Sequence, residues 1–146
     1  MGGCTALAAA GGRPTAFPHE TPERSPRPVD VEPDERVRAL VLLAPATAWF
    51  AAEGALAGVG VPVLVLTAEH DPHTPRRHGD VVVRGVAGPV ELRVVPGAGH
   101  FSFLTPFPPS MVVPAFPPSQ DPPGFDRAAF ATDLAAEVAA FLRRVL

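Results

Sequence analysis

Three short runs rich in Val and Leu, at residues 37–44, 61–68 and 90–95, limit this chain more than any other feature. Each has about the length of one strand and is read as having little polar alternation, the pattern of strands buried on both faces of a parallel sheet. Parallel neighbours need crossovers. Between the first two runs, residues 49–58 are long enough for a helical turn or two. Between the second and third, Thr74 stands as a helix cap, Pro75 at the first helical position and Gly85 past the end. The order predicts an α/β fold built on βαβ units. A last helix is expected from Asp126 onward, because Phe130, Leu134, Val138, Phe141 and Val145 recur at spacings of three or four and Arg143 and Arg144 suit its C-terminal end.

Length and charge narrow the class further. The chain has 146 residues, 47% of them hydrophobic and 18% charged, which fits one domain over residues 1–146. Its formal charge is -3, which argues against a nucleic-acid or anionic-membrane surface. The apolar stretch 39–52 is too short to span a membrane and contains Pro45. Cys4 is the single cysteine, so neither an intrachain disulfide nor a thiolate zinc cluster is available. Residues 2–10 read as a helix of small side chains stopped by Gly11 and Gly12. They lack the basic start and hydrophobic centre of a secretory signal, so any signal belongs upstream of residue 1 and location stays open. Two Pro-rich stretches, 13–36 and 105–125, read as loops, the second as a candidate rim or lid.

Two residues stand out as chemistry. Asp71 follows the run Val63-Leu64-Val65-Leu66, and His100 follows Val95-Pro96-Gly97-Ala98-Gly99. Both therefore fall beyond the carboxyl ends of neighbouring strands, where ligand sites of open α/β sheets lie. An acid that orients a histidine makes a general base. Taken singly, Asp71 reads as a turn-forming Asp-Pro and His100 as a turn histidine; together they point to catalysis. The density of Glu69, His70, Asp71, His73 and His78 raises a metal site, but Pro72 and Pro75 prevent one helical face from aligning the histidines, and no metal is expected. Ser102 sits on a loop with no visible strand-turn-helix elbow and is a poor nucleophile. Cys4 reads as packed core.

Pro62-Val63-Leu64-Val65-Leu66 with Glu69-His70-Asp71, then Val95-Pro96-Gly97-Ala98-Gly99-His100-Phe101 and a terminal helix, resembles the C-terminal portion of an α/β-hydrolase. Phe101-Ser102-Phe103-Leu104 and the segment from Asp121 to Phe130 look most like the dienelactone-hydrolase group of carboxylic-ester hydrolases. The resemblance implies a Ser-Asp-His triad with Asp71 as acid and His100 as base, an ester substrate, and no cofactor. Phe101, Phe103 and Met111 are candidates to touch that substrate, the alternative being that such aromatics are core. The resemblance also aligns Met1-Gly2-Gly3 with the end of Gly-x-Ser-x-Gly. The serine then falls one residue before Met1, and the Met1 nitrogen takes the oxyanion-hole position. On this reading the chain is inactive as written, residues 37–44 form an exposed edge strand, and a complementing N-terminal half is the expected partner. The competing expectation is a non-catalytic α/β module that docks through that edge.

Overall fold

The computed structural model describes residues 2–146. Its centre is a parallel sheet of β3 (Leu40–Leu43), β4 (Val63–Ala68) and β5 (Val90–Val95), in the order β3-β4-β5. Leu40 pairs with Val63 and Val63 with Val90, so the three strands start level and end at one rim. Alternation divides the side chains between two faces. Leu40, Leu42, Val63 and Val65 join a cluster with Leu7, Phe50, Leu56, Val59 and Val82. Leu64, Leu66 and Val95 face the other way, towards Phe141, Leu134 and Val138. Helices α1 (Gly2–Ala9) and α2 (Arg77–Gly85) thus cover one face and α3 (Arg127–Val145) the other. Full burial of each large aliphatic side chain contributes about 1.5–3 kcal/mol.

The expected strands all form, but only β4 is buried along its whole length. β3 and β5 are the two edges, and β5 carries Glu91 and Arg93, which pair with Arg144 and Glu137 of α3. The first crossover is not an α-helix; it is a 3-10 turn at Ala48–Phe50 followed by further turns. Thr74 does not cap α2. Its hydroxyl is engaged elsewhere, and the helix begins at Arg77 with Arg76 in the cap position and no side-chain cap bond. Gly85 is the last helical residue and not the first beyond it. α2 lies close against the sheet because Gly79 has no side chain: a Cβ there would stand 2.8 Å from Thr67 Cγ2 and 2.9 Å from Leu92 Cδ1.

The first Pro-rich stretch holds the antiparallel ribbon β1 (Thr15–Ala16) with β2 (Arg27–Pro28). The second holds two 3-10 turns, Pro109–Met111 and Pro117–Ser119. Asp126 caps α3 as expected, accepting from the Ala129 N–H at 3.0 Å. No helix among the described residues is long and apolar enough to cross a membrane.

Candidate active site

The loops after β4 and β5 stay joined past the end of the strands. Glu69 N–H donates to Val95 O at 3.1 Å and His70 N–H to Ala98 O at 2.9 Å. Gly97 turns the chain in the left-handed region, at φ 69°, and donates its N–H to the Glu69 carboxylate at 2.8 Å. These bonds carry Asp71 and His100 to one point on the rim.

Asp71 Oδ2 lies 2.8 Å from His100 Nδ1. The carboxylate accepts only, so the Nδ1 proton sits on the imidazole and Nε2 is left as its basic nitrogen. Oδ1 accepts from the N–H groups of His73 and Thr74, both at 2.8 Å, and Oδ2 accepts also from Thr74 Oγ1 at 2.7 Å. Asp71 is thus both the Asp-Pro turn residue and the histidine's partner. Its side chain is fully buried, whereas that of His100 is 27% exposed. Burial is the largest single influence and pushes the Asp71 carboxyl up. The Thr74 backbone and hydroxyl, His100 and the His73 N–H together outweigh it, so the group rests below the ordinary carboxylate range.

Two cavities flank the imidazole. One, about 480 Å³, is lined by Gly2, Gly3, Ala44 and Ala46 together with His73, Thr74, His100 and Phe101. The other, about 300 Å³, lies between His100 and the second Pro-rich loop, with Pro114, Pro117, Gln120 and Pro122 in its wall. Phe101 and His73 line both and close on the imidazole edge-on, with ring centroids at 5.1 and 5.0 Å. Phe103 is elsewhere: it packs on Phe130 and lines a groove along α3. Met1, the expected oxyanion-hole position, lies outside the described residues.

Several residues do work that sequence reasoning did not assign. Thr74 Oγ1 also lies 3.1 Å from Ala44 O and 3.2 Å from His100 Nδ1, tying the loop after β3 to the acid and histidine. Ala44 itself has φ 44°, an uncommon conformation for a residue with a side chain, at the wall of the larger cavity. Ser102 is buried and structural. Its hydroxyl accepts from the Gly99 N–H at 3.0 Å and donates to Asp121 Oδ1 at 2.6 Å. Asp121 is gripped by Arg127 through Nε at 2.8 Å and Nη2 at 3.0 Å, and Arg127 Nη1 donates to Pro118 O. The one sequence signal for this network was an arginine in the first turn of a helix, the end that favours acids.

The histidines of the candidate metal cluster point to different partners. His70 faces Glu69, His73 packs on His100, and His78 Nδ1 accepts from the Thr47 N–H at 3.1 Å. Among the described residues no three His, Cys, Asp or Glu side chains meet as a metal site. Cys4 packs against the first apolar cluster, and burial pushes its thiol up.

Together these features define an α/β protein of three layers with a buried acid and a partly exposed histidine at the carboxyl rim of its sheet. In comparisons with known proteins the chain matches no family model, no curated protein and no solved structure.

Proposed function

We propose that this chain carries the acid and the histidine of a serine-type carboxylic-ester hydrolase of the α/β-hydrolase kind, similar to the dienelactone-hydrolase group. The observation that carries the reading is the bond from His100 Nδ1 to buried Asp71, with His100 lining a cavity and its Nε2 in no hydrogen bond among the described residues. A second observation supports it. Gly2 and Gly3, at the N-terminal end of α1, line that cavity with His100, so the positive end of the helix borders the same space as the imidazole. A serine one position before Met1 is the nucleophile in this reading. Its Oγ attacks the ester carbonyl, His100 Nε2 takes the proton and returns it to the leaving alcohol, and water repeats the sequence on the acyl intermediate. Asp71 holds the tautomer and stabilises the imidazolium. Phe101 and His73 bound the space around the reacting group.

A second reading rests on the free side of β3. Strand pairing uses the inward groups of Leu40, through Pro62 O, and of Ala44, through Leu66 O; by alternation Val41 and Leu43 turn theirs outward. An apolar groove of about 620 Å³ runs beside them against Leu134, Val138 and Leu142 of α3. An added strand of another chain would pair there and make this an interaction module.

Ester hydrolysis by the protein as its own cell makes it separates the two. The hydrolase reading expects His100→Ala to lower kcat by about 10³-fold or more and Ser102→Ala to leave the nucleophile in place. Partner binding that survives His100→Ala, with no hydrolysis in the unaltered protein, would select the module.

A further inference from the structure

We infer that the second Pro-rich loop is a substrate-binding rim that takes a linear alkyl chain, so that the esters accepted at the His100 site are those with an extended apolar group. This inference rests on the hydrolase reading above. Residues 101–120 contain no Asp, Glu, Lys, Arg or His. Within them Met111, Val112 and Val113 are three consecutive apolar side chains left 42%, 51% and 42% exposed. Consecutive large apolar residues on a surface mark contact sites more often than chance exposure.

The rim is held in place. The Met111 N–H donates to Pro108 O at 2.8 Å, Phe107 packs edge-on against Phe116, and the Arg127 guanidinium sits over the Phe107 ring while donating to Pro118 O. Prolines at 108, 109, 114, 117 and 118 remove much of the remaining backbone freedom. The exposed residues are therefore not a collapsed coil that hides itself.

Along the chain the rim adjoins the wall of the site. Pro114, next after Val113, lines the cavity with His100, and so does Gln120, whose Nε2 donates to Val113 O at 3.0 Å. A chain leaving the reacting carbonyl through that cavity passes Pro114 and Pro117 and reaches the apolar rim without meeting a formal charge. An alkyl chain suits this path better than a charged or sugar-like group, which would lose hydration there with nothing to replace it.

The test uses methyl ketones as ester isosteres that cannot be hydrolysed, 2-butanone and 2-octanone, titrated into the chain. NMR follows the His100 ring protons together with the methyls of Met111, Val112 and Val113. Each methylene removed from water is worth about a fourfold change in affinity, so the four extra methylenes of 2-octanone, half-buried on the rim, predict about 15-fold tighter binding than 2-butanone. The His100 and rim signals should move at one midpoint. Val112→Asp with Val113→Asp should erase the preference and leave 2-butanone unchanged; Val112→Asn with Val113→Asn should do the same without added charge. Equal affinities with silent rim methyls would overturn the inference while leaving the His100 site intact. Rim shifts without His100 shifts, or no binding at all, would overturn it too; the hydrolase reading is judged separately by its His100→Ala assay.

Discussion

Asp71 shows how one carboxylate can hold a turn and an imidazole at once, because its two oxygens face different groups. Oδ1 satisfies the backbone of residues 73 and 74, and Oδ2 takes the His100 and Thr74 protons. The placement of Asp71 and His100 on one rim was legible in the sequence because each lies in the loop after a strand run, and strand ends are the best-placed points in such a fold. Thr74 was misread. Its neighbours Pro75 and Arg76 mimic a helix start, and nothing local reveals that its hydroxyl reaches Ala44 and Asp71 across the sheet. His78 belongs to the same scale. Its Nδ1 accepts from the Thr47 N–H, and Thr47 Oγ1 donates to His78 O at 2.9 Å, so the ring must be neutral at that nitrogen. Burial, with Arg77 adding to it against the opposing pull of Asp71, lowers the His78 pKa in the fold. The unfolded chain then binds the extra proton first. This contribution to stability is complete above the unfolded value of about 6.5 and is lost as pH falls towards the folded value. Urea midpoints measured from pH 7.5 down to 5 should show this loss, and His78→Asn, which keeps an acceptor without titrating, should flatten that part of the profile.

At the scale of elements, the sheet was legible and the loops were not. β5 forms over the same residues as its run, but Glu91 and Arg93 alternate with its apolar residues, which suits an edge strand and not one buried on both faces. β3 and β4 start later than their runs, where Ala39, Pro62 and their neighbours leave the ladder. The crossover 49–58 lacks helical periodicity, and turns satisfy its backbone instead. The loop carrying His100 depends on a network that spans three segments, which no local pattern encodes. Ser102 binds Gly99 N–H and Asp121, and Asp121 binds Arg127 at the start of α3. Arg127→Met would leave the largely buried Asp121 carboxylate without its paired cation, at a cost of about 3–5 kcal/mol. Chemical denaturation should register that loss, whereas a change under 1 kcal/mol would mean that the network does not brace the loop.

For the molecule as a whole, the α/β class follows from the strand-length runs and the docking of α3 from its apolar period, whereas the edge at β3 was expected from the resemblance and the sides taken by the helices come from the structure. The nucleophile comes from the resemblance and not from the fold: the hydrolase reading proposes that its oxygen enters the cavity bounded by Gly2, Gly3, Ala44 and His100. The central claim is that Asp71 and His100 activate a serine at that cavity. Labelling of the protein from its own cell with a fluorophosphonate probe, followed by peptide mapping, tests this most directly. The account predicts a label on a serine directly preceding Met1, lost in His100→Ala and strongly slowed in Asp71→Asn. A label unaffected by His100→Ala, or ester hydrolysis with no serine labelled directly before Met1, would contradict it.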